Sequence, residues 1–265
     1  MFNAPLFKAS FKKTSKLMLG ITAIVIFYLL ATAGMYDPSG ESDLVSSLPE
    51  ALRDAFGMEL GPQTMEGFLA TGFYGVSFLL FMIIFSLIVA NQLLVNLVDR
   101  GSMAYLLTTP VARKKVAGTQ AGVIILNLFL IVAATTLLGL AGISGVVPDA
   151  DLNISVFLQI NIVAFCLLFF ISGYAFFFSA AFNETKFAMT ASVGLTMLFY
   201  VFNVFANSAG NAEWLKYLTV FSTFQPLEIV KGNTNVFLVS FSLGVAGLML
   251  FLAGIRRFSR RDLPL

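Results

Sequence analysis

The chain has 265 residues, 58% of them hydrophobic and only 11% charged, with a formal net charge of +2 and a mean hydropathy of +0.89. Soluble domains carry about 25% charged residues, so this composition excludes one and predicts an all-α integral membrane protein forming a single domain. Histidine is absent and Cys166 is the single cysteine, which rules out a Cys/His metal site, a disulfide framework and a Ser-His-Asp triad.

At the N-terminus, Ala4, Phe7, Phe11, Thr14 and Met18 share one helical sector, and Lys8, Lys12 and Lys16 share another. That pattern predicts an amphipathic interface helix over about 4–16, lying on membrane lipid with its lysines toward anionic headgroups. A spanning helix needs roughly 20 apolar residues. Six runs qualify, at about 17–36, 68–98, 116–147, 154–182, 187–207 and 235–255. Between the first two, "SDLVSSLPEALRDAF" sets Leu44, Leu48, Leu52 and Phe56 four apart, which predicts a short outer surface helix. Before the last, "NAEWLKYLTVFSTFQPLEIVKGN" is too apolar for a free loop and is interrupted at Gln225-Pro226. It predicts a broken outer helical hairpin over about 211–231, with Trp214, Leu215, Leu218 and Phe221 toward apolar surroundings.

Charge sets the expected orientation. Lys8, Lys12, Lys13 and Lys16 precede the first span, and Arg100, Arg113, Lys114 and Lys115 lie between the second and third. Lys186 follows the fourth span, and Arg256, Arg257, Arg260 and Arg261 follow the sixth. Only Arg53, Lys216 and Lys231 of the 16 basic residues fall on the other side, which carries most of the acids. The positive-inside rule then puts both termini in the cytoplasm of a cell, with a bacterial plasma membrane the expected location.

No Lys, Arg, Asp or Glu falls at the centre of an expected span. That argues against proton-coupled transport, voltage sensing and intramembrane proteolysis, all of which need such groups. GxxxxGK[ST] is absent, so the chain has no phosphate-cradling loop, and nothing points to nucleic acid. Polar residues inside spans include Asn91, Gln92, Asn96, Asn127, Gln159, Asn161, Asn203 and Asn207. Interhelical hydrogen bonding is the preferred reading of these. Asn91, Asn161 and Asn203 are the candidates for lining a transport path. Gly118 and Gly122 form a GxxxG at the start of the third span, a pattern of close helix packing.

The loop "RGSMAYLLTTPVARKKV" (residues 100–116) holds an apolar knob. Ser102 can cap a helix that Pro110 ends, and Met103, Leu106 and Leu107 then share one face. Such a face either dips into headgroups or fills a groove on a protein partner. With its flanking long spans, this loop resembles the region between the second and third spans of type-2 ATP-binding-cassette exporter permeases. Members often show E-x-LL-x-TP-x-x-R there. Leu106, Leu107, Thr109, Pro110 and Arg113 match, and Met103 or Ala104 stands where the acidic residue is usual. The N-terminal amphipathic segment, six spans, interrupted segment before the last span and basic "RRFSRRDL" are also similar.

The resemblance implies that residues 102–109 form a cytoplasmic coupling helix seated on a separate ATPase, with Met103, Leu106, Leu107, Pro110 and Arg113 at the contact. It implies that the N-terminal helix, at Phe7, Lys8, Phe11 and Lys12, also touches that ATPase. It further implies a second permease chain, joined through the first and fifth spans, and an outer hairpin capping the exit. No cofactor is expected in this chain. ATP and magnesium are expected in the partner, and the cargo, crossing spans without fixed charge, is expected to be amphipathic or apolar: a peptide, antibiotic or lipid. The alternative is a non-transporting membrane scaffold or immunity subunit, which would bring no ATPase along on purification.

Overall fold

The computed structural model describes residues 3–36, 49, 64–75, 77–101, 112–147, 152–208 and 213–261. Every regular element among them is helical. Helix α1 is Ala4–Ala33 and α2 is Met65–Leu69, followed by a π turn at Ala70–Tyr74. Helices α3 (Ser77–Leu93) and α4 (Val95–Asp99) complete the second span. Helices α5 (Arg113–Val146), α6 (Ile154–Ala181) and α7 (Thr185–Ser208) follow. Two 3-10 turns, Glu213–Leu218 and Phe221–Thr223, lead to α8 (Pro226–Val230) and α9 (Val236–Arg260). Six of these stretches are long and apolar enough to cross a membrane, as the sequence predicts.

Asparagine starts three of the long helices. The Asn3 side chain accepts from Leu6 N–H, Asn153 from Ser155 and Val156 N–H, and Asn235 from Leu238 N–H. Each cap satisfies amide donors that the first helical turn leaves open.

Helix α6 is central and packs on α9, α3, α5 and α7, while α1 packs chiefly on α5. The α6–α9 contact is a small-against-large fit. A Cβ at Gly247 would lie 2.5 Å from Cδ1 of Phe169, and one at Gly254 would lie 2.8 Å from Cδ1 of Phe176. Only glycine lets α9 lie this close to the aromatic ridge of α6. Gly118, the first glycine of the GxxxG, has open space where its Cβ would be, so it brings no helix close within the chain. The close approaches along α5 are Gly139, against Leu29, and Gly142, against Leu30.

Two expected boundaries change. The separate interface helix at about 4–16 is instead the first half of one 30-residue helix. No proline follows Pro5 in α1, and part of the sector expected to face lipid packs on protein while Ala4 stays exposed. Thr14 and Met18 are buried, Phe7 and Phe11 are half-buried and stacked at 6.4 Å, and Lys8 and Lys12 remain exposed. The second span, expected unbroken over 68–98, is interrupted at the π turn and again at Leu94.

In the segment before α9, helix α8 starts at Pro226, whose missing N–H and fixed φ suit the first turn. Phe221, Phe224, Leu227 and Ile229 are buried. Of the residues expected to face apolar surroundings, Phe221 is buried within the chain, while Trp214 is 60% and Leu218 49% exposed. The outer surface helix near Leu44–Phe56 lies outside the described residues.

Candidate functional site

The helix ends that carry the basic residues meet at one end of the bundle. There α4 runs out at Asp99, α5 begins at Arg113, α6 ends at Ala181, α7 begins at Thr185 and α9 ends at Arg260. The loop expected to form the coupling helix spans α4 and α5. Met103, Leu106, Leu107 and Pro110 lie outside the described residues, while both of the loop's anchors are described.

The leading anchor contains the Leu94 break, where φ is −124° and ψ −68°. A helix interrupted at membrane depth must find new partners for its backbone. Ser179 of α6 supplies two: its hydroxyl donates to Ala90 O at 3.0 Å and accepts from Val95 N–H at 2.9 Å. Lys13 of α1 supplies a third, its ammonium donating to Gln92 O at 3.1 Å. Beyond the break, the Asp99 carboxylate accepts from Thr185 N–H at 3.2 Å and so caps α7. Gly101, with φ +68°, then turns the chain into the loop, a backbone conformation that favours glycine.

The trailing anchor is Arg113. Its guanidinium donates to Arg261 O at 2.9 Å. Arg261 in turn donates from Nη1 to Ala180 O at 2.7 Å and Phe182 O at 2.8 Å, meeting carbonyls that the end of α6 leaves open. Burial, and then the neighbouring charge of Arg257, push the Arg261 pKa down. Arg113 thereby joins the start of α5 to the ends of α9 and α6. Beside this relay, Ala181, Asn183, Arg257, Arg260 and Arg261 line a cleft of about 310 Å³.

The candidate path residues are spread out. Asn91 is buried and donates to Leu87 O at 2.8 Å and to the sulfur of Met189 at 3.6 Å. Asn161 is buried and donates to the Tyr74 hydroxyl at 2.8 Å. Both are packed inside the bundle and join it to neighbouring elements. Asn127 does the same with Thr14 at 2.7 Å. Asn203 is half-buried on α7.

A family model described as "ABC-2 family transporter protein" matches residues 7–263. The chain belongs to the ABC-2 transporter family. No curated protein sequence matches it significantly. This ABC-2 protein is therefore the multi-pass membrane permease subunit of an ATP-binding-cassette transporter and not the ATPase itself. Its family implies an ATP-binding-cassette partner.

Sequence reading missed three residues at the basic end. Ser179 sits in an aromatic run, "FFFSAAF", where a lone hydroxyl gives no hint of the backbone it meets 84 residues away. Lys13 is one of four similar lysines. Arg261 is one of four arginines in a basic tail, and its sequence neighbours do not reveal its burial.

Proposed function

We propose that this ABC-2 permease is the transport subunit of an exporter, working as two permease chains with two cytoplasmic ATPases. Residues 102–109 are the coupling helix, and Met103, Leu106 and Leu107 plug a cleft on the ATPase. The basic end faces the cytoplasm, in line with the positive-inside rule. ATP and magnesium bind in the partner. The cargo is amphipathic or apolar, because the described spans offer no charged group at mid-depth to hold an ion. The outer segment at 213–231 caps the exit, and Asn203, half-open on α7, is the path candidate best placed to meet cargo between two chains.

One observation carries this reading: both anchors of the loop are wired to other spans. Movement of the loop reaches α1 through Lys13, α6 through Ser179, α7 through Asp99 and α9 through Arg113. A closing ATPase that pulled on residues 102–109 would thus act on several spans at once, with the Leu94 break as the place where the second span yields.

The test is a charge on the knob. Leu106→Glu or Leu107→Glu is expected to leave the protein inserted while transport and cargo-stimulated ATP hydrolysis fall by at least about ten-fold, a loss of roughly 1.4 kcal/mol of coupling. Unchanged coupling in both variants would sink the proposal. Purification without any nucleotide-binding partner would favour the scaffold alternative.

A further inference from the structure

The cleft beside the Arg113–Arg261 relay has features that coupling does not use. Arg257 and Arg260 are exposed, and no acidic side chain partners either one among the described residues. Arg261 is only 7% exposed and is held in place by the Ala180 and Phe182 carbonyls. Its Nη1 is spent on those bonds and its guanidinium lies 5.7 Å from the Phe258 ring centre, yet its Nε and Nη2 are buried with no hydrogen-bond partner among the described residues. Buried nitrogens of a fixed cation that lack acceptors are costly unless an anion supplies them. Asn183 adds an amide to the same wall, and among the described residues no carboxylate lines the cleft.

The surface beneath the arginines identifies the anion. On a helix, positions four and eight residues back lie on the same face, one above the other. Below Arg257 stand Ala253 and Met249, and below Arg260 stand the exposed Arg256, four back, and then Leu252, eight back. Met249 is 59% and Leu252 56% exposed. A cationic cleft therefore opens directly above an open apolar stripe at the end of a membrane-spanning helix. A free phosphate would use the first feature and ignore the second. A lipid phosphate uses both, with its acyl chains along the stripe. Basic pockets between helix ends are the usual binding places of anionic headgroups.

We propose that the cleft formed by Asn183, Arg257, Arg260 and Arg261 binds the phosphate of an anionic phospholipid in the leaflet at the basic end. The bound lipid bridges the α6–α7 turn to the end of α9. The site shares Arg261 with the loop's trailing anchor, but its lipid binding does not require residues 102–109 to act as a coupling helix.

The experiment uses the full-length chain, purified and titrated with phosphatidylglycerol, phosphatidylcholine or inorganic phosphate. Lipid retention is read by native mass spectrometry and thermal unfolding is followed in parallel. Phosphatidylglycerol is expected to be retained and to raise the unfolding temperature, while phosphatidylcholine does neither. The exposed pair Arg257→Gln/Arg260→Gln is expected to weaken phosphatidylglycerol binding roughly 5- to 30-fold, since each basic residue near a membrane surface is worth about a factor of five. Arg257→Lys/Arg260→Lys should keep most of it. Lys8→Gln/Lys12→Gln removes the same charge elsewhere and should change it far less. Equal losses in the Lys8/Lys12 and Arg257/Arg260 glutamine pairs would reduce the effect to diffuse attraction and overturn the site. So would a response to inorganic phosphate without any to phosphatidylglycerol, or arginine variants that lose only ATPase binding and keep the lipid. Arg261 is left intact in every arm because it also caps α6.

Discussion

Two helix pairs in this ABC-2 permease solve the same problem in different ways. Helices in lipid gain nothing from leaving water, so packing and hydrogen bonds must hold them together. The α6–α9 pair uses shape: Gly247 and Gly254 sit in gaps between Phe169, Phe170, Phe176 and Phe177 that no side chain could share. The α1–α5 pair adds hydrogen bonds to its glycine contacts: Thr14 accepts from Asn127 at 2.7 Å, and Thr119 accepts from Asn3 N–H at 3.0 Å. Its polar groups are not exhausted, because both amide atoms of Gln120 and the carbonyl oxygen of Asn127 are buried without partners among the described residues. A shape lock has one good register. A seam with spare donors and acceptors can re-pair after a small shift. The second kind suits the helix that carries Lys13, which touches the backbone at the Leu94 break.

The sharpest way to break this contrast is to fill a glycine. Gly247→Val should cost about 3 kcal/mol, measured by unfolding in detergent, because Phe169 blocks the new side chain and the Phe170 backbone lies 3.2 Å from its Cβ. Gly118→Ala, into open space, should instead stabilise by up to ~1 kcal/mol through helix propensity. Equal effects at the two positions would end the claim that glycine is used selectively.

Ser179→Ala tests where α6 meets the second span and relies on a hydrogen bond. Losing the hydroxyl leaves Ala90 O and Val95 N–H without their partner, at a cost of roughly 2 kcal/mol. Hydrogen exchange at Val95 should rise with it, and unchanged protection there would mean that Ser179 does not hold the break. Asn127→Leu should cost only about 0.6 kcal/mol, the average for an interhelical bond in lipid, since Thr14 can still donate to Ser10 O. A loss as large as that at Gly247 would make the α1–α5 seam as rigid as the α6–α9 lock.

The smallest effect marks the lower limit, at a bond that water can replace. Glu228 is bonded to Lys231 at 2.8 Å and to Asn233 at 2.8 Å. Lys231, and then Asn233, hold its carboxyl below its ordinary value of 4.5. A depressed carboxylate pKa contributes stability above the ordinary value and loses it as pH falls through the depressed one. Glu228→Gln should therefore remove part of the acid sensitivity below pH 4.5 and change neutral-pH stability by roughly a few tenths of a kcal/mol.

Much of the bundle was legible before any coordinates. Hydropathy and charge are properties of contiguous residues, so six spans and a basic end follow from the chain alone. The preference for interhelical bonds over path lining at Asn161 and Asn127 also rested on a general fact about helices in lipid, and their partners Tyr74 and Thr14 agree with it. The N-terminal pattern was read correctly as two-faced. Its apolar face was assigned to lipid because a helical wheel shows a sector and not its neighbour.

What the sequence determined by itself is therefore the class, the number of spans and the sidedness of charge, together with a knob whose family resemblance pointed to a transporter. Tertiary structure alone decided where the second span breaks, which glycines are crowded and which arginine is buried. The physical reason is distance along the chain. The Leu94 break depends on Ser179, Arg113 depends on a carbonyl 148 residues later, and Gly247 depends on Phe169. A window of local sequence contains none of these pairs.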